Sequence, residues 1–145
     1  MSTTSTAGAV VLRLYDDALN GTSYDTVVDD VAHPDVIVHE PDGDRTGPDA
    51  VKSTIRLLHA SFSDLQFQVH DLIEAADKVV VRWSMSAVHT ATFAGFAATG
   101  KHVEQHATVI YRVHEGTIRE VWPQIDRLGM FRQLQPTPPT GQGHP

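Results

Sequence analysis

Trp122 and Asp126 stand four residues apart at the end of a stretch, Gln105 to Leu134, that reads as two strands followed by a short amphipathic end. Glu115-Gly116 is the turn, set between Val109-Ile110-Tyr111-Arg112-Val113 and Ile118-Arg119-Glu120-Val121-Trp122, both rich in β-branched and aromatic residues. Period-two alternation along the second arm puts Ile118, Glu120, Trp122, Gln124 and Asp126 on one face, and Arg119, Val121, Pro123 and Ile125 on the other. A carboxylate then shares a face with an indole. If that face is the inner one, Asp126 is partly desolvated and becomes a better base near neutral pH. The competing reading is an aspartate that ends a strand and caps the turn after it, DRLG.

The partner of Asp126 on the first arm depends on the turn. A two-residue loop at Glu115-Gly116 pairs Gln105 with Asp126 and Val109 with Trp122. A three-residue loop with a glycine bulge instead sets Glu104 opposite Asp126 and His106 opposite Gln124. His106 and Gln105 are thus rival site candidates. His102, Glu104 and His106 also project from one strand face, and two histidines with a carboxylate form a legitimate zinc or iron set. Strand twist spreads these three, no HExxH helix is present, and polar alternation on a solvated face explains the same letters, so no metal is expected. Neither GxGxxG nor GxxxxGK occurs, and no GxSxG elbow exists, which leaves acid–base chemistry by Asp126 with histidines.

Several elements must position these groups. Val10, Val11, Leu14, Tyr15, Ala18 and Leu19 recur at helical spacing, with Asn20-Gly21 as the stop, so Tyr15 lies on an apolar stripe from which its hydroxyl could reach a cavity. Thr22 or Ser23 opens a short second helix through Val31, broken by His33-Pro34. Asp35 to Glu40 is a short strand closed by Pro41-Asp42-Gly43-Asp44, and His39, alternating with Ile37 and Asp35, is either an inward-pointing side chain or a solvated histidine at a strand end. Gly47-Pro48-Asp49 opens a third helix, with Val51, Ile55, Leu58, His59 and Phe62 as its buried stripe. From Leu65 the period changes to two: Leu65, Phe67, Val69, Asp71 and Ile73 share a face, as do Val79, Val81, Trp83, Met85, Ala87 and His89. A three-residue loop, Ala75-Ala76-Asp77, pairs Ile73 with Val79, Val69 with Trp83 and Phe67 with Met85, and makes Asp71 a second carboxylate near the rim. Thr92 to Gly100 is a loop with the character of a lid. The order is helices first, then a meander of long antiparallel strands, an α+β domain over residues 1–135 with a disordered Pro/Gly-rich tail over 136–145.

Composition narrows the function. A net charge of −7 without a Lys/Arg cluster argues against nucleic acid, and the chain has no cysteine for a disulfide, a thiolate metal site or a nucleophile. No membrane-length apolar run and no export signal are visible, so the expectation is a soluble cytoplasmic protein.

Taken together, HPDVIVHEP, SFSDLQFQVHDLI, DKVVVRW, VHTATFAGFAATGK and YRVHEGTIREVWPQIDRLGMFRQL resemble the SnoaL-like polyketide cyclases, of the nuclear-transport-factor-2-like superfamily, from about Val10 to Leu134. The resemblance implies a cone-shaped α+β barrel in which a curved antiparallel sheet wraps a deep apolar pocket under the N-terminal helices, in a homodimer or higher homo-oligomer. The family's acid/base is the aspartate of W-x-x-x-D-x-x-G, here Trp122, Asp126 and Gly129. The implied reaction, in antibiotic biosynthesis, closes a ring of an aromatic polyketide by intramolecular aldol condensation without a cofactor. Walls from Trp83, Trp122 and Phe93 would hold the flat substrate, and Tyr15, His39, His89, Gln105 and Gln124 would complete its binding, with His106 beside Asp126 in the chemistry. The family's loop usually reads GTHxGxFxGxPPTGK, whereas Val88, Ala91, Ala97 and Ala98 stand here, which implies a less rigid loop. Close relatives take part in hydroxylating anthracycline intermediates, so a hydroxylase and a non-catalytic binding module stay open beside the cyclase.

Overall fold

In the computed structural model of the chain, which describes residues 6–135, helices lie on the inner face of a curved, unclosed, six-stranded mixed sheet. The elements are α1 (Ala7–Arg13), a π-helical turn (Leu14–Leu19), α2 (Tyr24–Val31), β1 (Ala32–Glu40), β2 (Gly43–Thr46), α3 (Pro48–Ser61), β3 (Phe62–Ala75), β4 (Lys78–His89), β5 (His102–His114), β6 (Thr117–Ile125) and α4 (Arg127–Leu134). Strand order is β2-β1-β6-β5-β4-β3. The sheet departs from the all-antiparallel expectation at one ladder, where β1 runs parallel to β6, and β2 is a strand the sequence reading did not include. The tail over 136–145, expected to be disordered, lies outside the described residues.

The helical stripe forms as its spacing requires. Thr6 caps α1 by accepting the Ala9 N–H at 3.0 Å, and Val10, Val11, Leu14, Tyr15, Ala18 and Leu19 are all buried. Tyr15 falls within the π-helical turn, whose wider ring is closed by the Asn20 N–H on the Tyr15 carbonyl at 2.8 Å. Asn20 then bonds the backbone of Phe67 in both directions, at 2.9 and 2.6 Å, and ties the helix end to the outer strand β3. Along β4, Val79, Val81, Trp83, Met85, Ala87 and His89 all point into the core, as the alternation predicts.

Two bulges change what the faces present. Val69 faces Trp83 and Phe67 faces Met85, as expected, but the β3–β4 turn has two residues, Ala76 and Asp77, and Ile73 pairs with Val80. An extra residue at His70 absorbs the difference between those two registers. Beyond it Leu72 turns inward while Ile73 is exposed, and Asp71 faces solvent with its carboxylate on Arg82 at 2.6 Å rather than at a rim of the pocket.

The β5–β6 hairpin behaves likewise. Its turn is the two residues Glu115 and Gly116, with φ of 50° and 78°, the backbone of a type I′ turn. His114 pairs with Thr117 and Val113 with Ile118, but Arg112 pairs with Glu120, so Arg119 is an extra residue. Neither expected register holds. After the bulge Tyr111 faces Val121, Val109 faces Pro123 and Ala107 faces Ile125, and the Asp126 N–H donates to the His106 carbonyl at 3.0 Å. The expected single face of Ile118, Glu120, Trp122, Gln124 and Asp126 is therefore cut: Ile118 points inward, while Val121, Pro123 and Ile125 take the inner face after it.

Candidate active site

Between the concave sheet face and the helices lies a cavity of about 350 Å³. Its walls come from the helical stripe (Leu14, Tyr15, Leu19), from α3 (Ala50, Thr54, Ile55, Leu58), from the inward positions of β3 to β6 (Phe67, Trp83, Gln105, Val109, Tyr111, Val121, Pro123, Ile125), and from Phe93 and Phe131. Such a cavity, largely apolar with few polar groups, suits a small, largely apolar ligand.

Of the expected site residues, Tyr15, Trp83, Phe93 and Gln105 line this cavity. Phe93 comes from the connection between β4 and β5, where it and Phe96 exchange backbone hydrogen bonds at 2.9 and 2.8 Å around Ala94 and Gly95, both with positive φ. Phe93 packs on Phe62 with ring centroids 5.0 Å apart, and Phe96 on Phe131 at 5.6 Å, so the loop closes over one end of the cavity. Gln105, on the inward alternation of β5, donates from its side chain to the Asp126 carbonyl at 3.3 Å.

The others are placed elsewhere. His106, the neighbour of Gln105, points to the outer face with its side chain 65 % exposed, because successive strand residues alternate. His102 and Glu104 are exposed on the same face, and among the described residues no group of three His, Asp or Glu side chains converges on a metal position. Trp122 and Gln124 lie on the outer face through the Arg119 bulge, Trp122 stacked on His39 at 5.2 Å and 13°. His39 is outward because β1 alternates with the opposite parity to its inward reading: Val36 and Val38 are buried, and Glu40 follows them to the cavity. His39 bridges Asp44 and Glu120, each at 2.9 Å. Those contacts, with Glu120 first, raise the His39 pKa above its ordinary 6.5. Glu120 in turn is held below 4.5 by His39 and by Arg112, whose Nε donates at 2.6 Å.

His89 is fully buried, yet it holds the β4–β5 connection rather than forming the cavity wall. Its Nδ1 accepts the Thr99 N–H at 3.1 Å, and its backbone bonds Lys101 and Gly100 at 2.9 and 2.8 Å, which anchors the returning half of the loop.

Asp126 ends β6 and caps α4. Its Oδ1 accepts the Gly129 N–H at 2.8 Å, and the residue is exposed, so the desolvation expected of an inner-face aspartate is not realised. The spacing D-x-x-G has a steric reason: a β-carbon at Gly129 would collide with the Asp126 carboxylate folded over it. Asp126 itself is not among the wall residues, although its chain neighbours Ile125 and Arg127 both line the cavity.

Tyr111, Glu40 and Arg127 are among the lining groups that escaped the sequence reading. Tyr111 shares the inward alternation of Gln105 and Val109, a signal that was present in the strand pattern. Its hydroxyl hydrogen-bonds that of Tyr15. Burial first, then the neighbouring phenol, pushes the Tyr15 pKa well up, while the Trp83 side chain works the other way, and burial also raises Tyr111. Both therefore stay neutral phenols at any working pH. Glu40 and Arg127, the second and third, pair at 3.1 Å on the cavity wall, and no local pattern in the chain joins residues 87 positions apart.

Comparison with known proteins agrees with this architecture. The model of the SnoaL-like polyketide cyclase family matches residues 9–134. A proposed SnoaL-like polyketide cyclase from Jannaschia sp. CCS1 superposes with a TM-score of 0.85 at 19 % identity, covering 95 % of this chain and 98 % of that one. AclR, a proposed hydroxylase from Streptomyces galilaeus, gives 0.78 at 25 % identity, covering 88 % and 94 %. IdmH, a proposed polyketide cyclase from Streptomyces antibioticus, gives 0.76 at 23 % identity, covering 89 % and 98 %. No match was found among curated protein sequences. With a family model spanning nearly all of the described chain, the chain belongs to the SnoaL-like polyketide cyclase family.

Proposed function

We propose that the protein closes a ring of an aromatic polyketide by intramolecular aldol condensation, with Asp126 as the acid/base. The observation that supports this reading is the largely apolar cavity, with Asp126 next in the chain to two of its wall residues, Ile125 and Arg127. Trp83, Phe93 and Phe67 hold a flat conjugated ligand with its reacting end toward α4. The Asp126 carboxylate takes the proton of an acidified C–H, and the electron pair left behind is delocalised into the ligand's own carbonyls. That enolate carbon attacks a second carbonyl, the new C–C bond forms, and the alkoxide oxygen recovers the proton from Asp126. No external electron carrier is needed, because ring closure is an isomerisation in which the nucleophilic carbon is formally oxidised by as much as the carbonyl carbon is reduced.

A hydroxylase-type reading is the second, favoured by the similarity to AclR at 25 % identity. Incubation with a linear tricyclic or tetracyclic polyketide ester, with and without NADPH, flavin and oxygen, separates the two by product mass. Isomerisation or loss of water in buffer alone supports ring closure. Gain of one oxygen, seen only with reductant and oxygen, transfers the assignment to hydroxylation. Binding without product under either condition leaves a ligand-binding module.

A further inference from the structure

The cavity wall is uncharged except where Glu40 at the close of β1 and Arg127 at the start of α4 both line it. Arg127 donates one N–H to Glu40 Oε1 at 3.1 Å, and Glu40 Oε2 lies 4.0 Å from the guanidinium of Arg45. Glu40 is largely sheltered, its side chain 15 % exposed, against 41 % for Arg127. Among the described residues Glu40 is the hydrogen-bond partner of Arg127, so most of the five donors of that guanidinium are unspoken for. The nearest carboxylate in sequence, Asp126, is turned onto the Gly129 N–H. Two guanidinium groups thus surround one carboxylate on an otherwise uncharged cavity wall.

The geometry points to Arg127, held in place by Glu40, as the specificity-determining residue that reads an acidic oxygen at one end of a flat apolar ligand: a carboxylate or the enolate of a 1,3-dicarbonyl. This rests on the pocket being the ligand site. A planar guanidinium with a free edge matches two oxygens side by side, and it loses less conformational freedom than a lysine would because Glu40 already fixes one nitrogen. Glu40 has two opposed effects. It orients Arg127, and its own charge sets a penalty on any anion that approaches.

The experiment is isothermal titration of the full chain with anthraquinone-2-carboxylate and with its neutral counterpart, anthraquinone-2-carboxamide. The carboxylate should bind about tenfold to a hundredfold more tightly than the carboxamide. Arg127→Gln should abolish that preference while leaving carboxamide affinity within about threefold, and Arg127→Lys should recover part of it. Glu40→Gln, which removes the competing charge and keeps the shape, should tighten the carboxylate complex. Equal affinity of the wild-type protein for both probes, unchanged in Arg127→Gln, overturns the assignment and leaves the pair as a brace between β1 and α4. So does a parallel loss of both probes in Arg127→Gln and Glu40→Gln together with lowered melting temperatures. Binding of neither probe to the wild-type protein overturns the pocket reading itself, and the assignment of Arg127 with it.

Discussion

Asp126 carries two roles that substitution can pull apart. Its carboxylate accepts the Gly129 N–H at 2.8 Å, capping an eight-residue helix whose inner face buries Met130 and Leu134, each 1 % exposed. Asp126→Ala removes the cap, at a cost of about 1 kcal/mol, with a further few tenths from losing negative charge at the helix N-terminus. For a chain of this size that lowers the melting temperature by roughly 4 °C. Because Phe131 of the same helix lines the cavity, fraying there also loosens the ligand site. Asp126→Asn keeps an oxygen for the Gly129 N–H and should lose only the charge contribution, about 0.3–1 kcal/mol. It cannot accept the substrate proton, so turnover should fall by about 10²–10⁴-fold. The assay pairs thermal melts followed by circular dichroism with product analysis on a linear polyketide ester. Turnover in Asp126→Asn within threefold of wild type would refute Asp126 as the base. An Asp126→Ala melt that coincides with wild type would refute the energetic value of the cap.

Other substitutions test the surroundings. Tyr111→Phe leaves the buried Tyr15 hydroxyl without its phenol partner and should cost about 1–3 kcal/mol in denaturant unfolding, with the double Tyr15→Phe, Tyr111→Phe costing less than the sum of the singles. Leu58→Trp, on the cavity wall of α3, should fill the slot and weaken binding of a planar aromatic probe at least tenfold while the far-ultraviolet spectrum is retained; unchanged affinity would move the ligand elsewhere. The outer-face network makes a pH prediction. His39 is raised above 6.5 in the fold, so its contribution is complete below that value and is lost as pH rises through the raised one. Glu120 is lowered below 4.5, so its contribution is complete above that value and is lost as pH falls through the lowered one. The melting-temperature difference between wild type and His39→Gln should therefore be greatest between the two ranges and shrink toward alkaline pH and in high salt. A difference that stays constant with pH would make the His39 contacts a matter of packing against Trp122.

Much of the fold was legible because it rests on local periodicity. The stripe from Val10 to Leu19 repeats at helical spacing and can bury only one face, and six alternating residues of β4 from Val79 to His89 can face only one way. Gly47-Pro48 marked the start of α3, and Glu115-Gly116 marked a tight turn that only left-handed backbone can close. The same patterns put Tyr15 and Trp83 on apolar faces and made Gln105 a site candidate, while Phe93 came with the family resemblance; all four line the cavity.

What lay beyond local pattern was the identity of the inner face wherever a strand carries an extra residue. Alternation has a parity, and one inserted residue inverts every side chain after it. Arg119 does this on β6, moving Trp122 and Gln124 outward and Val121, Pro123 and Ile125 inward, and His70 does it on β3. Local pattern sufficed for every element but β2, for the tight turns, and for the spacing of Trp122, Asp126 and Gly129. Which sides of β1 and β6 meet the cavity is a matter of long-range pairing, because the parallel ladder between those strands and the ladder to β5 choose the parity. That choice sets His39 on Glu120 and Trp122 outside, and places Glu40 against Arg127 within.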